Sequence, residues 1–112
     1  CAYCVGAHST VAQMVHMPED ILSALREQRQ LPDRKLNALK TLVMSVLLHR
    51  GWVPDEDLEF FTAAGYGQQH LLDVLTIVAL KTLSNYTNHI AHTPLDPQFA
   101  AQAWKAKGAT GG

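Results

Sequence analysis

Two thiols and one imidazole open the chain, as Cys1, Cys4 and His8 in the run Cys1-Ala2-Tyr3-Cys4-Val5-Gly6-Ala7-His8. On a helix, residues three and four apart share a face, so this spacing predicts that all three side chains lie together. A thiolate is the nucleophile and a thiol is not, so a sulfur needs a base or a positive environment to react near neutral pH. His8 has the spacing of a base for Cys4. Cys1, one turn earlier, is near enough to close a disulfide, and the positive helix N-terminus further favours a thiolate. The expected roles are Cys4 as attacking sulfur, Cys1 as resolving sulfur and His8 as base. Position alone lets Cys1 compete as nucleophile; the neighbouring base favours Cys4.

A Cys-x-x-Cys pair has other readings. These are the only two cysteines in the chain, so no disulfide framework staples the fold. A redox-active dithiol comes first, a Cys/Cys/His metal site second, and two inert core cysteines third. Zinc would need a fourth ligand or an open position, and His16, His49, His70, His89 and His92 are scattered at no recognised metal spacing. Haem attachment is disfavoured because Val5 follows Cys4.

The pattern Cys-x-Tyr-Cys-x-x-x-His-Ser, carried by Cys1, Tyr3, Cys4, His8 and Ser9, resembles the signature of the alkylhydroperoxidase D-like branch of the carboxymuconolactone decarboxylase family. The runs 35–39, Gly65-Tyr66, 82–90 and Thr93-Pro94-Leu95-Asp96 are also similar to members of that branch, so the resemblance extends to about Trp104. It implies an all-helical fold and thiol-dependent reduction of a hydroperoxide, with Cys4, Cys1 and His8 as catalytic residues. It also implies re-reduction by an external dithiol or thiol-protein, and a trimer or hexamer. No metal, haem or flavin cofactor is required. Family members carry an acidic residue on the helix before the first cysteine, which feeds a proton relay. This chain starts at that cysteine, so it reads as a truncated domain whose relay acid lies upstream. One alternative is lactone decarboxylation, as in the family's other branch, which has no use for two thiols. Another is a non-enzymatic helical oligomer with structural or zinc-binding cysteines.

A chain of 112 residues fits one small domain, placed here at 1–106, which buries about two thirds of the surface its unfolded form exposes. Apolar residues make up 47% and aromatics only 7%, with Ala and Leu prominent, which favours helices. A formal net charge of -1 and the lack of a basic stripe argue against nucleic acid as a partner. No apolar run is long enough to span a bilayer. A dithiol that must be re-reduced fits a reducing compartment, the cytoplasm.

The elements that must position the thiols form an all-α bundle of about six helices. After the motif, Met17-Pro18-Glu19-Asp20 marks a break and a second, short helix with Pro18 at its first position, ending near 28–30. Asp33 caps a third that ends at Gly51, and Asp55 caps a fourth that stops at Gly65. A long helix over 68–92 follows, apolar nearly all round at 74–80, which predicts burial by the fold on one side and by a second subunit on the other. Asp96 and Pro97 start a last short helix, and the tail 107–112 should be mobile. Met14, Met17 and Met44 read as core filler, Trp52 and Trp104 as core or interface anchors, and Arg26, Glu27 and Arg29 as a solvated face. Asn85, Tyr86, Asn88 and His89 form a polar patch whose groups must be hydrogen-bonded, and it reads as satisfying helix ends or subunit contacts ahead of a direct catalytic role. Tyr3 reads as pocket wall, and Gly6 as a point of close approach by a neighbouring helix.

Overall fold

A computed structural model describes residues 1–107. Beyond Lys107 the expected tail lies outside the described residues. The chain is all-α. Its elements are α1 (Ala2–Met14), α2 (Glu19–Arg26), α3 (Arg34–His49), α4 (Asp55–Ala63), α5 (Gln68–Ala91) and a 3-10 helix (Pro97–Gln102), with no strand among the described residues. It divides into two compact units, one made of Cys1–Arg29 and the chain from Leu83 onward, the other of Gln30–Thr82.

The second unit follows its end signals closely. Asp33 Oδ1 accepts the Leu36 N–H at 2.8 Å, satisfying one of the free donors at the start of α3. The helix closes through two left-handed residues, Arg50 at φ 54° and Gly51 at φ 87°, with the Gly51 N–H returning to the Val46 carbonyl. The α4 start differs from expectation. Pro54 is its N-cap and Asp55 its first helical residue, so Asp55, Glu56 and Asp57 place three carboxylates at the positive helix end. Asp57 is further engaged, accepting a hydrogen bond from buried Ser45.

Leu42, Val46, Phe61 and Val74 form the core of this unit. Phe61 stacks on Tyr66 with ring centroids 4.5 Å apart, and the Tyr66 hydroxyl donates to the Lys35 carbonyl at 2.9 Å. On α5, Leu71, Val74 and Val78 turn toward that cluster, at the i, i+3 and i+7 positions of one helix face. Leu72, Leu75, Ile77 and Leu80 are exposed in the single chain.

In the first unit, Pro18 is the N-cap of α2 rather than its first helical residue. The helix stops at Arg26, earlier than expected, because Gln28 turns left-handed at φ 58°. The last helix is a 3-10 helix. Trp52, between α3 and α4, is 88% exposed in the single chain, so of its two readings, core or interface anchor, the core one fails. Met14 and Met44 are 72% and 56% exposed, so neither fills a core. Composition marks such side chains as apolar but does not say which way the helix turns them.

Leu42 is fully buried, so Leu42→Ala should lower the unfolding free energy by about 3 kcal/mol. Leu48→Ala, at a side chain 78% exposed, should change it by under about 0.5 kcal/mol. Urea titration of the two variants checks the contrast.

Candidate redox site

Cys1 is the N-cap of α1. Its Sγ accepts the Cys4 N–H at 3.2 Å, the role that a serine or aspartate oxygen plays at other helix starts. The helix brings the two Cα atoms to 5.2 Å, within the range a disulfide spans, and the sulfurs are bonded to each other. The two are not equivalent. Cys4 is buried at 7% exposure, whereas Cys1 is half-buried.

Asn88, near the end of α5, supplies a polar partner for the inner sulfur, its Nδ2 donating to Cys4 Sγ at 3.5 Å. This contact joins residues 84 apart in sequence. Sequence reasoning placed Asn88 in a structural patch, and no signal among its polar neighbours Asn85, Thr87 and His89 sets it apart. Elsewhere in that patch, Tyr86 and His89 are exposed in the single chain, with their rings stacked on each other, and the buried Asn85 Oδ1 has no hydrogen-bond partner among the described residues, where one was expected.

His8 lies one turn beyond Cys4, on the face that the spacing predicts, but its ring is exposed and its Nδ1 pairs with the Cys4 carbonyl oxygen at 2.9 Å, not with the sulfur. A carbonyl only accepts, so Nδ1–H is the donor in this bond. The physical reason is local. A side chain at i+4 leans back over the carbonyl of residue i, which is a stronger acceptor than sulfur.

The surroundings of the pair are held by a few polar contacts. The Tyr3 hydroxyl donates to Asp96 Oδ2 at 2.6 Å, and its ring meets Phe99 edge-on. The hydrogen bond to Asp96, with smaller effects of desolvation and the nearby negative charge, holds the Tyr3 phenol above its ordinary pKa. Gly6 gives the expected close approach to a helix, since a Cβ there would stand 3.5 Å from the carbonyl oxygen of Gln102, the last residue of the 3-10 helix. A Cβ at position 6 would stand 2.9 Å from Leu95 Cδ1.

Arg26 overturns the expectation of a solvated face. Its guanidinium donates to Ser9 Oγ at 2.8 Å and to the carbonyls of Gln102 and Ala103 at 3.0 and 3.1 Å. Its own carbonyl accepts the Trp104 indole N–H at 2.8 Å. Glu27 and Arg29 do form an exposed ion pair, and Arg29 lowers the Glu27 pKa.

A cavity of about 570 Å³ opens beside the disulfide, lined by Cys1, Tyr3, Asn88, His92, Leu95 and Trp104 among others, and more apolar than polar. Cys4 does not line it. Among the described residues no three His, Cys, Asp or Glu side chains converge on a metal-sized site, so the zinc arrangement is not assembled by Cys1, Cys4 and His8. No described helix is long and apolar enough to cross a membrane.

No model of a known protein family matches the chain, and no curated protein matches it.

The Tyr3 bond gives a pH-dependent prediction. An unfolded tyrosine ionises near 10.0, and in the fold the phenol holds its proton to higher pH. The contribution of the Tyr3–Asp96 bond is therefore complete below pH 10.0 and is lost as pH rises through the raised value. Between about pH 9 and about pH 11, Tyr3→Phe should lose less stability than the unaltered chain, read from urea midpoints at the two pH values.

Proposed function

We propose that the chain is a thiol-dependent peroxidase of the alkylhydroperoxidase D-like branch, reducing hydroperoxides through a dithiol/disulfide cycle of Cys1 and Cys4. The observation that carries this reading is the bonded sulfur pair in the first turn of α1, bordered by a cavity of small-molecule size. The resemblance of the motif around Cys1, Tyr3, Cys4, His8 and Ser9 to that branch supports it.

In the cycle, the reduced Cys4 gives up its proton to His8, the nearest imidazole along the helix. The Cys4 thiolate attacks the distal peroxide oxygen, the O–O bond breaks, and the departing alkoxide takes a proton to leave as an alcohol. Cys4 is left as a sulfenic acid. Cys1 thiolate then attacks the Cys4 sulfur, and hydroxide departs as water once protonated. An external dithiol restores both thiols by exchange and is itself oxidised. The Asn88 amide, donating to Cys4 Sγ, stabilises negative charge on the sulfur assigned the attack. His8 bonds the Cys4 carbonyl in the oxidised form, so its part as base needs the ring to turn toward the thiol after reduction.

The reading includes a reducing, cytoplasmic setting and assembly into a trimer or hexamer. The outward Leu72, Leu75, Ile77 and Leu80 of α5 support the latter, as apolar surface that a second copy would cover.

Cys4→Ser should bring dithiol-dependent peroxide consumption down to the uncatalysed rate, and turnover left intact would remove the assignment. Cys1→Ser should still form one sulfenic acid per chain, trapped by a dimedone adduct, without cycling. Sedimentation should show an oligomer at micromolar concentration; a stable monomer there excludes the assembly.

A further inference from the structure

The two sulfurs of the bridge differ in access and in the donor each one faces. Cys1 lines the cavity and is half-buried, while Cys4 is buried and does not line it. Each sulfur has its own donor. Cys4 Sγ accepts the side-chain amide of Asn88 at 3.5 Å, and Cys1 Sγ accepts the backbone N–H of Cys4 at 3.2 Å at the positive end of α1. In thiol–disulfide exchange, access decides which sulfur is attacked, and stabilisation of the departing thiolate sets how readily the bond breaks. Resting on the redox reading above, we infer that the bridge is opened in one direction only. The external thiolate enters at Cys1 Sγ, and Cys4 Sγ leaves with the electron pair onto a site prepared by Asn88.

The steps balance. A thiolate of the reducing dithiol attacks Cys1 Sγ, the Cys1–Cys4 bond breaks, and its electron pair goes to Cys4 Sγ. The product is a mixed disulfide on Cys1 and a thiolate at Cys4 under the Asn88 amide. The second thiolate of the reductant then attacks its own sulfur in the mixed disulfide, closing the reductant into a disulfide and expelling Cys1 as a thiolate onto the Cys4 N–H. Two electrons have moved from the dithiol to the pair, and the two protons that the dithiol released on ionising are in solvent, where either thiolate can take one up. Each cysteine leaves once, and each leaves toward a donor that the fold already holds in place.

The asymmetry also separates the two half-reactions. The reductant needs only the outer sulfur on the cavity wall, where Tyr3, Leu95 and Trp104 give it an apolar seat. Cys4, regenerated as a thiolate, is then already in the charged form that the peroxide step uses. Asn88 thus serves both halves of the cycle, stabilising Cys4 first as leaving group and then as nucleophile.

The test maps where a monothiol lands. The oxidised chain is exposed briefly to glutathione, quenched with excess N-ethylmaleimide and sequenced by tandem mass spectrometry. Glutathione on Cys1 with maleimide on Cys4 is the expected pattern, and glutathione on Cys4 overturns the inference while leaving the redox cycle standing. A bridge that resists glutathione and dithiothreitol overturns both. The part of Asn88 is read separately in reduced Cys1→Ser chains, from the pH dependence of iodoacetamide alkylation at Cys4. Asn88→Ala should raise the apparent thiol pKa by about one unit and slow alkylation near pH 7 by roughly tenfold. Asn88→Gln should recover part of that loss, and unchanged alkylation profiles in both variants would exclude the assigned role.

Discussion

The Arg26 guanidinium is the constraint around which the first unit is arranged. It reaches Ser9 on α1 and two carbonyls at the end of the 3-10 helix, and the indole of Trp104 closes back onto its backbone. A cation is a good choice for this place because the end of a helix leaves carbonyls without partners, and a charged donor bonds them more strongly than a neutral one. Ser9 is buried and would otherwise carry an unpaired hydroxyl. The same contacts set the position of Ala103 and Trp104, which form one wall of the cavity beside the bridge. The shape of the cavity beside the sulfurs therefore depends on a residue that touches neither of them.

The second unit works by different means. Its centre is a small aliphatic and aromatic cluster, and its polar contacts, such as Asp33 on the start of α3 and Tyr66 on the Lys35 carbonyl, finish helix ends and fix side chains. The apolar side chains left facing outward on α3 and α5 are long and aliphatic, among them Leu47, Leu48, Leu72 and Leu80. The unit thus has a core of its own and apolar surface in excess of it.

Local signals were legible in the sequence and non-local ones were not. The spacing of Cys1 and Cys4 was enough to foresee a bridge, because three residues along a helix is a fixed distance. Asp33 and Gly51 gave the ends of α3 for the same reason. Asn88 and Arg26 escaped as parts of the site because their partners lie 84, 76 and 77 positions away, and nothing in the neighbouring residues encodes them. His8 shows a subtler limit. Its face on the helix was predictable, but the choice between the carbonyl and the sulfur of one residue is decided by acceptor strength and ring reach, which spacing does not register. Met14 and Met44 were assigned to the core and Trp52 to the core or an interface, and hydrophobic character states a preference for burial without supplying a neighbour.

Gly6 has an effect on the cavity that is separate from any flexibility of the backbone. Leu95 sits where a methyl group at position 6 would be, and Leu95 is also part of the cavity wall. One missing carbon on the helix that bears the sulfurs therefore sets how near Leu95 can stand. An alanine at position 6 would oblige Leu95 to shift by a few tenths of an ångström. A single substitution there would thus reshape the hollow beside the bridge while leaving both sulfurs and their donors as they are.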